Sequence, residues 1–422
     1  MRSSALATAC LLCTAFQSAA ATEPLLIPAD KIYTAPDAPP LAQGMLLVRD
    51  GLIVSVADER GRIAIPEGTR TSTCRGVVVA GFQNSHVHLM GPLFAGAADK
   101  PASEVQAAVE SMLTRYGVTS AFDTGSDLQN TLAIRQRIER GELRGPRIRT
   151  VGWPLYPVAG IPFYLKDLPQ SLLDQLRQPV TPADAREDVR INLDAGADGT
   201  KLFMVTSPQL NETKRLAPEI ARAAVEATHA RGKLALAHPT SNDGIRAALA
   251  AGVDIAVHTA LGEQAPWDAA LTREMVTNDM SVIPTLKLWR YELAKQQVPE
   301  AITEKLVGAT LEQLRAFKAA GGQILFGTDV GYMHEFDPTD EYVLMSQAGL
   351  TPMEILASLT TAPAARWKEE KEHGRVAPGF AADLVVLEGD PADDVRNFAK
   401  VRCVFRAGEQ IYPAIVSVTA NH

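Results

Sequence analysis

Eight short apolar or β-branched runs recur through the middle of the chain, at residues 76–81, 118–123, 147–152, 200–205, 234–238, 253–258, 281–286 and 323–328. Ala-rich amphipathic helical patterns, such as 218–231 and 301–320, separate most of them. Several of these helices stop at a glycine just before the next run: Gly117, Gly196, Gly232, Gly252 and the Gly321-Gly322 pair. Glycine past a helix end accepts the left-handed conformation that other residues resist. Strand, helix, glycine, strand, repeated eight times, predicts the α/β class and a parallel (β/α)8 TIM barrel. An open doubly wound sheet is the rival, and the count of eight favours closure.

The two ends have a different texture. Residues 24–79 read as short strands and turns, with Asp50-Gly51 between apolar alternations as a hairpin signal. The same texture returns at 382–387 and 401–406, separated by the turn-rich Glu388-Gly389-Asp390-Pro391. The expected organisation is a barrel over 80–372 and one small β-sandwich built from 22–79 and 373–422. Cys74 and Cys403 fall in strand-like segments outside the barrel. An oxidising compartment would let them pair, and two buried free thiols are the alternative.

The N-terminus reads as an export signal over residues 1–21. Arg2 supplies a positive start, 5–16 an apolar stretch, and Ser18-Ala19-Ala20-Ala21 small residues for cleavage before Thr22. The expectation is an exported, periplasmic or secreted protein. The apolar stretch is too short for a permanent anchor, and no later segment is long and apolar enough to span a membrane. Net charge is −8, from 41 basic and 49 acidic residues, with no basic run. That argues against nucleic acid and anionic membrane surfaces as partners and leaves a small molecule; a homo-oligomer stays open.

Residue types that bind metals fall at the ends of the predicted strands. His86 and His88 are two apart, so both side chains point the same way from an extended segment. Lys201 lies on the fourth run, His238 and His258 end the fifth and sixth, and Asp329 follows the eighth. A barrel gathers the carboxyl ends of its strands on one face. Six residues scattered along the sequence would then converge on one pocket. Imidazoles and carboxylates suit zinc and similar cations. An ammonium would repel a dication, but carbamylation of Lys201 by carbon dioxide turns it into an anion able to bridge two metals. Carbamate, Asp329 and a bridging hydroxide would offset most of the charge of two dications.

His86-Val87-His88, Lys201 within Asp198-Gly-Thr-Lys-Leu-Phe203, His238-Pro239, His258-Thr259 and Gly327-Thr328-Asp329 resemble the metal-site pattern of the amidohydrolase superfamily. The pattern is most similar to its binuclear, carbamylated-lysine branch, which includes prolidase-like and Xaa-Arg-type dipeptidases. Residues 378–387 resemble that superfamily's C-terminal return into a β-sandwich. The resemblance implies two divalent metal ions, with His86, His88 and Asp329 on the more buried one and His238 and His258 on the more exposed one. Lys201, as N6-carboxylysine, would touch both. Asp329 would take the proton of a metal-bridged hydroxide as it attacks the scissile carbonyl and pass it to the leaving group. Two departures stand out. Asn84 occupies a position often held by Asp, which should alter a supporting contact and not a ligand. The Gly-Gly-His element that many prolidase-like relatives carry after strand three is absent from 153–162, which counts against a prolidase-like substrate.

Substrate contacts are expected from loops after the strands. Trp153, Tyr156, Phe163 and Tyr164 follow the third run; Lys287, Trp289 and Arg290 the seventh; Tyr332, Met333 and His334 the eighth. Aromatic groups beside a few cations suggest an apolar substrate with a carboxylate, anchored by Arg290 or Lys287. His229 and His373 read as solvated, and His422 is the terminus. The function expected is hydrolysis of an amide bond in a dipeptide-like or N-acyl amino acid substrate. A lactone, ester, carbamate or phosphotriester is the alternative at the same site. Deamination is disfavoured by Lys201 and by the absence of a Glu after His238. A non-catalytic metal-binding protein is disfavoured because no ligand is lost.

Overall fold

The computed structural model describes residues 23–413 apart from 210–211 and 264–265. The export signal expected at 1–21 lies outside the described residues, as does His422.

Both ends of the chain enter one eight-stranded sheet. The N-terminal part supplies β1 (Leu25–Ile32), β2 (Leu41–Arg49), β3 (Leu52–Asp58), β4 (Arg70–Thr71) and β5 (Val77–Ala80). The strands β15 (Leu384–Leu387), β16 (Val401–Arg406) and β17 (Glu409–Tyr412) come from the far end. The order is β17-β16-β15-β5-β1-β2-β3, with β4 beside β1. The predicted hairpin joins β2 to β3; Asp50 and Gly51 take φ of 52° and 78°, as the tight turn between right-twisted strands requires. At the junction of the two ends, β5 and β15 run antiparallel, with Ala80 opposite Leu384 and Val77 opposite Leu387. Every residue of these two strands is buried. Their side chains alternate between two cores: Val77, Val79, Val385 and Leu387 enter the main core. Val78, Ala80, Leu384 and Val386 enter a separate core with Ile27, Ile32 and Leu46. A sheet covered on both faces explains why these strands read as unbroken apolar runs.

Cys74 and Cys403 form a disulfide across this junction, 329 residues apart in sequence, which decides between the two expectations for them. A link of that span restricts the unfolded chain, an effect of about 2–4 kcal/mol for typical disulfides. The double variant C74S/C403S is therefore expected to melt several degrees lower in a thermal scan. An unchanged melting temperature would show that the bond contributes no stability.

The interior strands are all parallel. One sheet has β6 (Phe82–Val87), β7 (Val118–Asp123) and β8 (Arg147–Thr150) in sequence order. Another has β14 (Ser281–Ile283), β13 (Ile255–Val257), β12 (Leu234–His238) and β9 (Gly199–Phe203) side by side. A hairpin of β10 (Val205–Gln209) and β11 (Glu212–Arg215) follows β9. Between β8 and β9, Asp198 N donates to Thr150 O at 2.6 Å, and Leu155 N donates to Lys201 O at 2.9 Å. Between β14 and β6 lies the segment 323–330. Val282 N donates to Gln323 O at 3.0 Å on one side, and Ser85 N to Phe326 O at 2.8 Å on the other. His88 N donates to Val330 O at 2.8 Å in the same seam. The eighth run thus takes its place through isolated bridges and not as a regular strand.

Helices fill the intervals. Those at Pro218–His229 and Glu300–Ala319 match the predicted patterns to within two residues. The helix before β13 stops at Gly252, whose φ of 83° is left-handed as predicted.

One expectation is corrected. The run at 76–81 was read as the first interior strand, but Val77–Ala80 belongs to the terminal sheet and the interior set begins with β6. Gly81 makes the handover: a Cβ there would lie 2.2 Å from Thr119 Oγ1, so only glycine lets the chain pass that close to β7.

Candidate metal centre and substrate cavity

His86 lies within β6 and His88 just beyond it; Lys201 is in β9; His238 ends β12; His258 follows β13; Asp329 lies in the 323–330 segment. All six line one cavity of about 250 Å³. Among the described residues, His86, His88 and Asp329 form a group whose ligand atoms lie within 4.8 Å of one another. Asp329 Oδ1 is 3.3 Å from His86 Nε2 and 3.0 Å from His88 Nε2, and the two Nε2 atoms are 3.2 Å apart. For bonds of 2.0–2.1 Å to zinc, adjacent corners of a tetrahedron are roughly 3.3–3.4 Å apart. The donor spacing fits a shared cation. The His258 ring centre is 4.9 Å from that of His86 and 4.8 Å from that of His238, which extends the cluster across the pocket.

Supporting contacts aim the imidazoles. His88 Nδ1 is 2.7 Å from Gly125 O, which can only accept, so Nδ1 carries the proton and Nε2 presents its lone pair to the site. Gly125 is itself held by Asp123, whose buried carboxylate accepts from Gly125 N, Ser126 Oγ and Thr131 Oγ1. His258 Nδ1 meets Thr285 Oγ1. That hydroxyl already donates to Pro284 O at 2.9 Å, so the imidazole is the donor there too. Asn84 accepts from His86 N at 3.2 Å and donates to Thr328 Oγ1 at 2.7 Å, a supporting contact as anticipated. The backbone is strained at the same place. His258, Thr285 and Asp329 take φ of 71°, 44° and 62°, a left-handed conformation uncommon outside glycine.

The electrostatics favour neutral imidazoles, the form that binds metals. Burial, with the nearby Lys201 charge, lowers His86 to about 3. His238 and His258 are pushed well below the usual histidine range, chiefly by burial. Burial alone would raise Asp329, but His86 and His88 outweigh it and hold the carboxyl well below its ordinary value. Lys201 is 1% exposed, and its ammonium lies 5.6 Å from the centre of the Phe203 ring. Burial lowers its pKa to about 8. No hydrogen bond or ion pair satisfies it among the described residues, an expensive state for a buried ammonium.

Of the residues expected to touch substrate, Tyr156, Trp289 and Tyr332 line the cavity, together with Phe163 and Tyr164. The others do not. Trp153 is buried behind the wall, its carbonyl accepting from Asn192 Nδ2. Met333 is fully buried outside the lining. Lys287 Nζ donates to Glu335 O and Asp337 O at 3.1 and 2.9 Å, Arg290 pairs with Glu304 at 2.7 Å, and His334 is exposed. The reason is local. Residues expected to form a loop after the seventh strand begin a helix at once, Leu286–Lys295. Trp289, Glu292 and Gln296 share its cavity-facing side, and Lys287 and Arg290 point elsewhere. Glu292 and Gln296 were missed for that reason; a helical period applied from Trp289 would have found them. His373, expected to be solvated, is instead half-buried and meets Asp383 at 3.3 Å.

A parallel α/β scaffold thus carries a cluster of His, Lys and Asp at its strand ends, with His86, His88 and Asp329 spaced as a group that could hold a metal ion. The chain belongs to the amidohydrolase family, whose profile matches residues 77–411. It is 24% identical to the ochratoxinase of Aspergillus niger over 414 residues, covering 87% of this chain and 82% of that protein. The crystal structure of A. niger ochratoxinase superposes with a TM-score of 0.75 at 21% identity, covering 92% of this chain and 95% of that one. A Xaa-Pro dipeptidase with bound methionine in its active site gives a TM-score of 0.77 at 21% identity, covering 92% and 99%. These likenesses describe the fold.

Proposed function

We propose that this enzyme hydrolyses the amide bond of a small dipeptide-like or N-acyl amino acid substrate, using two divalent metal ions, zinc by donor chemistry, held by His86, His88, Lys201, His238, His258 and Asp329. The observation that carries the reading is the convergence of all six on one cavity. The names of the similar proteins point the same way, one an ochratoxinase and one a Xaa-Pro dipeptidase. The scaffold is read as a closed (β/α)8 barrel. Phe122, Val151, Leu236, Ile255, Ile283 and Leu325, from six of the eight interior runs, meet in one interior cluster, and backbone hydrogen bonds bridge both seams between the parallel sheets. The terminal sheet, with side chains feeding two cores, is read as the accompanying sandwich. Export of the chain is supported by the Cys74–Cys403 disulfide, a bond of oxidising compartments. N-terminal sequencing of envelope or secreted material should begin at Thr22; an intact Met1 would overturn export.

Lys201 is the natural target for carbon dioxide. Its depressed pKa raises the fraction of neutral amine, and a carbamate there would remove an unpaired ammonium and supply two anionic oxygens that could hold the metals. When bound, the metal ions supply Lewis-acid polarisation of the carbonyl and a lowered pKa for water. Asp329 accepts the proton as the water oxygen bonds to the carbonyl carbon. It then returns that proton to the nitrogen as the C–N bond breaks. The aromatic wall of Tyr156, Trp289 and Tyr332 orients the substrate and excludes water.

Elemental analysis is expected to give two metal atoms per chain, with removal by chelator abolishing turnover and zinc restoring it. One atom per fully active chain would overturn the binuclear reading. A hydrolysis screen should find turnover among N-acyl amino acids and dipeptides. Turnover confined to lactones and aryl esters would overturn the amide assignment.

A further inference from the structure

A cavity built for a substrate carboxylate should present a cation to it, and the mouth of this cavity presents the opposite. Among its described lining residues, Lys201 is the only lysine or arginine, and it sits with the histidines on the floor. Lys287 and Arg290, which would have supplied the positive charge, are engaged elsewhere. Glu292, three residues along the helix from Trp289, lines the cavity instead.

The surroundings of Glu292 make it a receptor for a cation. Tyr332 Oη donates to Glu292 Oε1 at 2.8 Å, which fixes the carboxylate. Burial and the Glu292 charge hold the Tyr332 phenol far above its ordinary range, so it remains a donor. Lys295 Nζ also reaches Oε1, at 3.6 Å, and lies 5.3 Å from the centre of the Tyr332 ring. Its side chain is 54% exposed and such pairs are weak, so a substrate ammonium competes with it for this position. Oε2 accepts no hydrogen bond among the described residues. Tyr164 packs edge-on against Tyr332, ring centres 5.4 Å apart, and both rings line the cavity together with Glu292. Aromatic faces around an anionic group favour an ammonium over a carboxylate.

We infer that Glu292, framed by Tyr332 and Tyr164, selects substrates that carry a free ammonium group, such as dipeptides with an unblocked N-terminus, over N-acylated or anionic counterparts. The inference rests on the amide-hydrolase reading of the same cavity. The ammonium donates to Oε2, its charge is shared with the two rings, and the scissile amide is directed toward the metal ligands.

The test uses the zinc-loaded chain and matched pairs of dipeptides, each with a free or an N-acetylated amino group. The kcat/KM ratio of free to acetylated forms is expected to be about tenfold or more, the size of one charge-assisted hydrogen bond. E292Q should bring the ratio close to one. K295M, on the exposed side chain that competes for Oε1, should widen it. A preference for the acetylated forms, or a ratio indifferent to both substitutions, overturns the inference. Calorimetry with phenethylammonium and phenethyl alcohol reads the same preference without turnover: the affinity ratio should exceed one and collapse in E292Q. If no dipeptide is cleaved and esters are, the amide reading fails, while the calorimetric ratio still decides the role of Glu292.

Discussion

Lys201→Ala is expected to remove hydrolysis almost completely, by at least about 10³-fold in kcat/KM, because the stabilisation lost with a bridging anion amounts to several kcal/mol. Lys201 is the one member of the cluster whose ordinary chemistry is wrong for a metal site, so its loss separates the competing explanations. If it were a bystander, the cost would be a small buried void and a modest fall in stability. If it bridges as a carbamate, activity and metal content fall together, and the melting temperature drops by more than the void alone explains because the stabilising metal is lost. Partial rescue by bicarbonate with a short carboxylic acid, which together can occupy the emptied space with two oxygens, should follow in the variant and not in the parent. Depleting the parent of carbon dioxide and chelating its metals should reproduce the defect reversibly. Full activity in the variant would exclude the bridging role.

Asp329→Asn should cost about 10²–10⁴-fold in kcat, the range associated with a positioned proton acceptor, while retaining part of the metal. The amide is nearly the same size and can keep one oxygen beside His86 and His88, so the spacing near 3 Å survives in outline. What it lacks is a site for the proton of the attacking water. The split between retained metal and lost turnover is the diagnostic result. Loss of all metal would make Asp329 a ligand first, and unchanged kcat would place the base elsewhere. Substrate affinity should shift little, because the aromatic wall is untouched.

The meeting of the six side chains in one cavity was legible because its logic is topological. Parallel strands separated by helices send their carboxyl ends the same way, so His238 and His258, one strand–helix unit apart, had to become neighbours. Nothing finer than the strand rhythm was needed to place His86, His88, Lys201 and Asp329 with them. The substrate wall was only partly legible. Its identity depends on which side of a helix faces inward, and the helix beginning at Leu286 was read as a loop. Lys287 and Arg290 looked available as free cations; in the fold their charges are occupied by Glu335, Asp337 and Glu304. The first interior strand was displaced for a related reason. Val77–Ala80 and Phe82–Val87 are both apolar and extended, and only tertiary pairing tells which sheet each one joins. His373 looked solvated because its sequence neighbours are charged, yet Asp383 and Arg147 gather around it from distant segments.

The pairing of β5 with β15 has a consequence for biogenesis. β1, β2, β3 and β5 can pair among themselves as soon as they are made, but the second edge of β5 meets its partner only after β15 has left the ribosome, so the terminal sheet is completed late. Until then β5 presents an open hydrogen-bonding edge on a strand whose residues are all apolar, a surface that invites mispairing, so the interior strands and helices form beside an unfinished seam.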